Sequence, residues 1–444
     1  MISCGEDSAE GANVHFKING AANDSLMIGY YLGDKQYFIG DKGDNTVIHL
    51  DDKGEATYTN DSLKKGLYMV VFPPNNEYGE FIYDGEDLNV TADRSDLMFT
   101  MTAKNSLSNE LKYDNMQIVK KMSDARQNAG QAEGTADVDA INAEYATFVD
   151  KMIAEHPDNL FVRMMSMSKE PEVPAAIEDN KEAAYYYFKD HYLDNVPFDQ
   201  EWVIRTPLYQ RTIDTYLQRL TFPAVDSLKV AADEVIEKSK ANEEVYKYTL
   251  VNLFNQFASS KRMGYDGVYV HLANKYYLSG DAPWADQENL DRIKANVEQL
   301  KTSLVGMPAQ DFNVIESTGK EYSLYDVDSK YTVVFFMDPD CDHCQQAADD
   351  FKKTREQLPE TVTILGVAFN TKMDKLQLVK KERDYFWKMT IPESEELADK
   401  LGAQYNITTF PQIYILDADK KIVAKQVMPS QIPAVLQNVE LQQQ

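Results

Sequence analysis

The sequence predicts a multidomain α+β and α/β protein with an N-terminal antiparallel β-sandwich, a central all-helical domain and a C-terminal α/β domain. Short alternating runs come first, apolar residues at helical spacing fill the middle, and buried-strand and helix patterns alternate at the end. A chain of 444 residues is long enough for several domains of about 100–200 residues each. We place a short tether at residues 1–12 and the domains at residues 13–102, 105–304 and 306–444.

Short β-patterns fill residues 13–102. Residues 14–18 alternate strictly between apolar and polar side chains, and residues 46–50 and 67–72 alternate in part. Turn sequences such as Asp-Lys-Gly-Asp and Pro-Pro-Asn-Asn separate the runs. Roughly seven or eight short strands in such a length predict a small antiparallel sandwich. The sequence shows no catalytic or metal-binding cluster here, so a binding module and a simple spacer both remain open.

Helical spacing dominates residues 105–304. Ser106 and the residues after it are typical of a helix start, and a later apolar stripe runs through Tyr248, Val251 and Phe254. The aromatic run at residues 185–188 predicts a core face, because aromatic residues at helical spacing are usually buried. His191 and His271 have no second ligand one turn away, which argues against metal binding.

The overall charge is strongly negative. The formal net charge is −27, with acidic residues distributed along the chain. Such a surface repels phosphate backbones, so we expect no nucleic acid among the partners. No apolar run is long enough to span a bilayer.

Two of the three cysteines, Cys341 and Cys344, form a Cys-Asp-His-Cys motif. Thiol–disulfide exchange needs one thiolate that attacks and a second thiol that resolves the mixed disulfide. At a helix N-terminus the positive end of the helix favours a thiolate on the first cysteine, and the second lies one turn along. We therefore predict that Cys341 attacks and Cys344 resolves, with their disulfide as the only redox group and no cofactor. A structural zinc site, completed by His343 and an acid, is the alternative, but it would normally need a second pair of ligands.

The last 140 or so residues follow a β-α-β-α-β-β-α order around this motif. Their β-branched and aromatic runs predict buried strands, and amphipathic stretches predict helices. We expect strands at 331–337, 362–369, 412–416 and 421–427, and helices at 345–357, 373–388 and 431–441.

A second motif, Tyr-Asn-Ile-Thr-Thr-Phe-Pro-Gln-Ile at residues 405–413, resembles the thioredoxin superfamily. The resemblance implies a thioredoxin fold in which Pro411 is a cis-proline beside the cysteines and the backbone of Phe410 pairs with bound substrate. Gly-Met-Pro-Ala-Gln-Asp-Phe at residues 306–312 is similar to the start of TlpA/ResA-type redoxins. The three-part order resembles Bacteroidetes lipoproteins whose leading domains have no assigned function. The partners implied are protein thiols or disulfides and an upstream electron-transfer protein.

Two departures from the family pattern and the charges around the motif concern the chemistry of the thiols. Asp340 stands where such proteins usually carry tryptophan, and Phe335 replaces the buried carboxylate of thioredoxin. A cationic His343 would favour the Cys341 thiolate, whereas Asp338, Asp340 and Asp342 would raise the thiol pKa by repulsion. These effects oppose each other, so the direction of the redox reaction stays open.

The third cysteine, Cys4, follows Met-Ile-Ser and precedes a polar stretch. This resembles the end of a bacterial lipoprotein signal, in which the cysteine is acylated. The resemblance implies membrane attachment through a lipid anchor at Cys4, in the cell envelope facing the periplasm or the surface. A free terminal thiol is the alternative.

The function expected from these features is that of an extracytoplasmic thiol–disulfide oxidoreductase acting on protein disulfides. A binding or scaffold lipoprotein with a secondary redoxin domain is the first alternative, because the first 300 or so residues show no catalytic cluster. A thiol peroxidase is the second. Peroxiredoxins usually carry threonine three residues before the reactive cysteine, where this chain has Asp338.

Overall fold

The computed structural model describes residues 12–41, 44–129, 135–260 and 262–442. Within this part of the chain the contacts define two units. The first runs to Phe222 and includes Glu234–Thr249, and the second comprises Pro223–Asp233 and the residues from Leu250 onward. The predicted domain boundaries stay predictions, and Cys4 lies outside the described residues.

The first unit begins with two β-sheets. One has the strand order β11-β10-β1-β7, the other has the order β3-β2-β8-β9 with β6 also paired to β2, and β4 and β5 form a small separate ladder. The strands are β1 (Ala12–Asn19), β2 (Ser25–Leu32), β3 (Lys35–Phe38), β4 (Gly40–Asp41), β5 (Asp44–Asn45), β6 (Val47–His49), β7 (Glu55–Asn60), β8 (Gly66–Phe72), β9 (Glu77–Tyr83), β10 (Leu88–Asp93) and β11 (Thr102–Ala103), with the short helix α1 (Leu97–Thr100) before β11.

The two larger sheets share one apolar core. In β1 the alternation buries Val14, Phe16 and Ile18 on one face, and the ring of Phe16 packs against Phe81 of the other sheet at 5.9 Å. The predicted N-terminal sandwich is thus confirmed, with one difference: β1 and β10 pair in parallel. Alternation specifies which side chains face the core, but it carries no information on strand direction.

Helix α2 follows the sandwich and is hydrogen-bonded to it. The buried Asn109 side chain accepts from the Ile82 amide at 2.8 Å and donates to the Ile82 carbonyl at 2.7 Å. The Asn109 side chain therefore forms the same two hydrogen bonds that a further strand would form at the edge strand β9, and it holds α2 against the sheet. The helices of this unit are α2 (Leu107–Ala129), α3 (Thr135–Glu155), α4 (Leu160–Ser166), α5 (Lys181–His191) and α6 (Pro207–Gln218), while α7 (Val225–Ser239) and α8 (Glu243–Ser259) contribute residues to both units.

Helix α5 contradicts the prediction for the aromatic run at residues 185–188. None of its side chains is buried, and Tyr186 is 54% exposed. The Tyr185 hydroxyl donates a hydrogen bond to the Leu220 carbonyl at 2.8 Å, so this side chain lies on the protein surface and is not part of the core. Helical spacing alone could not show this, because a tyrosine hydroxyl is satisfied at a surface as well as inside.

The second unit contains the last helices of the central segment, α9 (Tyr265–Leu272), which continues into a π-helical turn, and α10 (Gln287–Leu300). Their attachment to the C-terminal sheet involves a buried lysine, Lys425, which is 2% exposed. Its ammonium donates to the Ser303 carbonyl at 2.7 Å and pairs with Asp266 of α9. A buried cation needs both charge compensation and hydrogen bonds, and these two partners supply them.

The remainder of the second unit is a seven-stranded mixed sheet in the order β13-β12-β16-β15-β14-β17-β18. Strands β14, β15 and β16 run parallel, while β17 lies antiparallel to β14 on its other side. This arrangement, with helices between the strands, is the thioredoxin fold, as the motif predicted. The elements are β12 (Asn313–Glu316), β13 (Glu321–Ser323), β14 (Tyr331–Met337), α11 (Asp342–Thr354), β15 (Val362–Ala368), α12 (Met373–Glu382), β16 (Lys388–Pro392), α13 (Glu395–Gln404), β17 (Gln412–Leu416), β18 (Ile422–Lys425) and α14 (Ile432–Gln442).

The predicted helix at residues 373–388 is too long, and the prediction missed β16 and α13. Helix α12 ends at Glu382, and Asp384 has a positive φ of 50°, which turns the chain into β16. Helix α12 has one fully buried residue, Leu376. In the much shorter β16, both Met389 and Thr390 are fully buried. The run Tyr-Phe-Trp-Lys-Met is compatible with either structure, and its last two residues, Lys388 and Met389, pair with β15 as a strand.

Candidate active site at the start of helix α11

The two cysteines of the motif lie at the first turn of α11. Cys341 is the N-cap residue, with φ −85° and ψ 121°, and its carbonyl accepts from the Gln345 amide at 3.1 Å. Its own amide donates to the Asp338 carbonyl at 3.1 Å, which closes the loop after β14. Cys341 is partly exposed, whereas Cys344 is fully buried, and both are free thiols. An attacking group must reach the substrate, so the exposures fit the predicted order of the two cysteines.

The environment of Cys344 favours its neutral form. Burial raises the pKa of the Cys344 thiol to about 12, and the neighbouring Cys341 acts in the same direction. The Asp338 amide donates to the Cys344 Sγ at 3.4 Å, which opposes the shift without cancelling it. Cys344 is therefore a protonated thiol at neutral pH in this form of the protein.

The loop between α13 and β17 brings Phe410 and Pro411 to the cysteines. The peptide bond between them is cis. The Cys341 Sγ lies 3.9 Å from the Phe410 carbonyl oxygen, the distance of a weak S–H donor contact. The Phe410 ring packs on Phe369 at 5.3 Å. The structure thus brings together Cys341, Cys344 and the Phe410–Pro411 peptide, as the sequence motif predicted.

His343 lies on the exposed side of the first turn. Within the described ranges its ring has no hydrogen-bond partner, and its influence on Cys341 stays a prediction. The described residues contain no cluster of three or more His, Cys, Asp or Glu side chains arranged to hold a metal ion. No described helix is both long and apolar enough to cross a membrane.

Two polar residues that follow β15, Asn370 and Lys375, bind the loop before Cys341. The Asp338 carboxylate accepts from the Asp340 amide at 2.9 Å and from the Asn370 side chain at 2.8 Å. The Lys375 ammonium lies 2.7 Å from a carboxylate oxygen of Asp340. The expected repulsion from these acids is thus partly compensated, since Asp340 has a cationic partner.

Sequence reasoning missed Asn370 and Lys375 as members of the site. They lie about 30 residues from the cysteines and belong to no motif. One signal could have identified them: the carboxyl ends of adjacent parallel strands meet at one edge of a sheet, so the loop after β15 must lie beside the loop after β14.

Behind the cysteines, Phe335 fills the position of the missing carboxylate. It is fully buried, and its ring lies 5.2 Å from that of Phe351 and 6.4 Å from that of Trp387. In the described part of the chain no aspartate or glutamate is fully buried. Aromatic side chains therefore fill the space behind the thiols, and among the described residues no buried acid could exchange a proton with them.

Comparison with known proteins agrees with this arrangement for the C-terminal segment. Residues 305–425 match the AhpC/TSA family, and residues 126–303 match a domain of unknown function, DUF5106. A thioredoxin-like protein of Bacillus subtilis, YneN, is 28% identical over 114 residues, which are 25% of this chain and 65% of that protein. The chain therefore spans less than two thirds of this curated relative.

Two solved structures are similar to parts of the chain. A thioredoxin-like protein from Bacteroides caccae has a TM-score of 0.48 and 18% identity, covering 61% of this chain and 97% of that chain. The thioredoxin domain of a thiol-disulfide oxidoreductase from Bacteroides vulgatus has a TM-score of 0.28 and 25% identity, covering 30% and 96%. The family matches thus place a redoxin-like segment at residues 305–425, preceded at residues 126–303 by a segment without an assigned function.

Proposed function

We propose that the protein is a thiol–disulfide oxidoreductase that acts on protein disulfides through the Cys-Asp-His-Cys motif. One observation carries the proposal: a partly exposed Cys341 caps α11 while Cys344, one turn along, is buried and has its pKa raised to about 12. The exposed thiol can meet a substrate, and the buried thiol stays protonated until the first exchange has occurred.

The exchange proceeds in two balanced steps. The Cys341 thiolate attacks one sulfur of the substrate disulfide, a mixed disulfide forms, and the other substrate sulfur leaves as a thiolate that takes up a proton. Cys344 then loses its proton and attacks the Cys341 sulfur, which releases the second substrate thiol. In total the protein dithiol is oxidised by two electrons and the substrate disulfide is reduced to a dithiol.

The residues around the cysteines have positioning roles in this scheme. The Phe410 carbonyl, 3.9 Å from the Cys341 Sγ, borders the space where the substrate sulfur would lie. The Asp338 amide, 3.4 Å from the Cys344 Sγ, would stabilise the charge that develops on Cys344 in the second step. The helix N-terminus favours the thiolate of Cys341 in the first step.

The test is turnover of insulin disulfides by the full-length protein, together with the equilibrium potential of the Cys341–Cys344 pair. We expect reduction by the wild type and only background turnover by Cys341→Ser. Equal turnover by both proteins would refute the proposal. Consumption of hydrogen peroxide without insulin reduction would favour the thiol peroxidase alternative.

We further propose that the protein works in the cell envelope, held by a lipid at Cys4. The resemblance of the residues around Cys4 to a lipoprotein signal supports this proposal. Metabolic labelling with palmitate should give incorporation that is lost in Cys4→Ala. Incorporation that survives this substitution would refute the anchor.

A further inference from the structure

Three loops meet at one edge of the C-terminal sheet. Strands β14, β15 and β16 are parallel neighbours, so their carboxyl ends lie side by side. The loop after β14 carries Cys341, the loop after β15 carries Asn370, and the loop after β16 leads into α13. Open α/β sheets bind their ligands at this edge.

A groove with a volume of about 840 Å³ opens at the edge, after β15 and β16. Phe369, Ile391 and Pro392 supply apolar surface, and the first turns of α12 and α13 contribute the remaining lining. The groove is therefore large enough for several side chains, and part of its lining is apolar.

Two residues of the groove are bonded to the cysteine loop. Asn370 donates to the Asp338 carboxylate at 2.8 Å, and Lys375 lies 2.7 Å from the Asp340 carboxylate. Asp338 and Asp340 immediately precede Cys341. A chain segment in the groove would consequently lie next to the thiol that attacks.

The charges of the groove are unbalanced. Asp374, Glu395 and Asp399 line it with exposed carboxylates. None of these three forms a salt bridge with a described residue, whereas Lys375 is already paired with Asp340. Lys372 is then the one lining cation left to offset three acids. An unpaired acidic rim over an apolar surface matches a lysine or arginine side chain, whose aliphatic stem packs while its charged end reaches the rim.

We infer that this groove binds a basic segment of the substrate protein, adjacent to the disulfide that Cys341 attacks. The inference rests on the proposed function and adds a substrate class to it. The exchange itself is unchanged: the protein dithiol becomes a disulfide, and the substrate disulfide becomes a dithiol. The groove selects which disulfide is presented, because opposite charges raise the local concentration of the segment.

The experiment compares peptides that differ only beside their disulfide. Each peptide has one intramolecular disulfide, flanked by two lysines, two glutamates or two serines. The reduced full-length protein is mixed with each peptide at low salt, and the second-order rate of disulfide reduction is measured. Rates for a given protein are divided by its rate with the serine peptide, so that a general loss of activity cancels.

Two double variants separate the groove from the charge of the whole chain. Glu395→Gln with Asp399→Asn removes two groove acids. Glu356→Gln with Glu360→Gln removes two exposed acids that precede β15, at the opposite end of a strand roughly 20 Å long. Both variants change the net charge by the same amount.

We expect the wild type to reduce the lysine peptide about tenfold faster than the glutamate peptide. This ratio should fall to about twofold in the groove variant, stay near tenfold in the control variant, and shrink for the wild type at high salt. A wild-type ratio near one, or an equal fall in both variants, would overturn the inference while leaving the proposed function intact. No reduction of any peptide by the wild type would instead contradict the proposed function, and the inference with it.

Discussion

Two exposed ion pairs lie at opposite ends of strand β14. At its amino end Lys330 pairs with Glu440 of α14, and beyond its carboxyl end Lys375 pairs with Asp340. The side chains are exposed to similar extents, 50% and 45% in the first pair and 47% and 65% in the second. Both are exposed lysine–carboxylate pairs, and pairs of this kind generally contribute little to stability.

The difference lies in what each pair adjoins. The first joins a strand end to the closing helix, whereas the second compensates the acid directly before Cys341. The same interaction is thus expected to have little effect at the amino end and to influence thiol chemistry at the carboxyl end. The body of the strand, buried at all seven positions, supports both ends.

The largest expected effect is the difference in reactivity between the two thiols at the carboxyl end. Because burial raises the pKa of Cys344 to about 12, only about one Cys344 in ten thousand is ionised at pH 8. We expect iodoacetamide to modify Cys341 at least about a hundredfold faster at this pH. Since the pKa is raised, modification of Cys344 should continue to increase as the pH is raised above 8 while the protein stays folded. Peptide mapping by mass spectrometry measures both sites, and comparable modification of both at pH 8 would be inconsistent with the buried thiol.

The next effect concerns the strand between the two ends. Phe335→Ala removes a fully buried ring that packs on Phe351 and Trp387. We expect a loss of about 3–5 kcal/mol in the free energy of unfolding, because the ring leaves a cavity. Urea denaturation followed by circular dichroism measures it. A loss below about 1 kcal/mol would mean that the aromatic cluster does not hold the sheet together.

A smaller effect is expected at the pair beside Cys341. Asp340→Asn leaves Lys375 as an uncompensated cation and should raise the rate of Cys341 alkylation at pH 7 by about two- to fivefold. Lys375→Met leaves the acid unpaired and should lower the rate by a similar factor. The double variant should lie close to the wild type. If both single variants change the rate in the same direction, the pair does not act through charge.

The smallest effect is expected at the amino end. Lys330→Met should leave the free energy of unfolding nearly unchanged, because the pair is exposed and contributes little to stability. It should leave the rate of Cys341 alkylation unchanged, since Lys330 lies a full strand length away. The same urea and iodoacetamide measurements apply. A change in alkylation as large as that of Lys375→Met would remove the distinction between the two ends.

Much of the C-terminal domain could be predicted from sequence because its information is local. The cysteine spacing and the Phe410–Pro411 dipeptide are short motifs, and the apolar run of β14 specifies a buried strand. The N-terminal sandwich followed from alternation in the same way. What alternation could not give was the parallel pairing of β1 with β10, which depends on the path of the chain between them.

The errors arose where long-range contacts decide the structure. The predicted helix at residues 373–388 continues past the end of α12 through the aromatic residues 385–387 to Lys388, where pairing with β15 begins the strand β16. No local motif assigns Lys375 to the site, because its partner, Asp340, is 35 positions away. The exposed Tyr186 shows the opposite case, in which a pattern typical of a core lies on the surface.

Trapping of the mixed disulfide tests the central claim, that Cys341 attacks and Cys344 resolves, most directly. Reduced Cys344→Ser and Cys341→Ser proteins are each mixed with a substrate disulfide, and the covalent complexes are measured by mass spectrometry under non-reducing conditions. The account predicts that Cys344→Ser accumulates a complex linked through Cys341, while Cys341→Ser accumulates essentially none. A complex that forms through Cys344 in the Cys341→Ser protein, with none in Cys344→Ser, would contradict it.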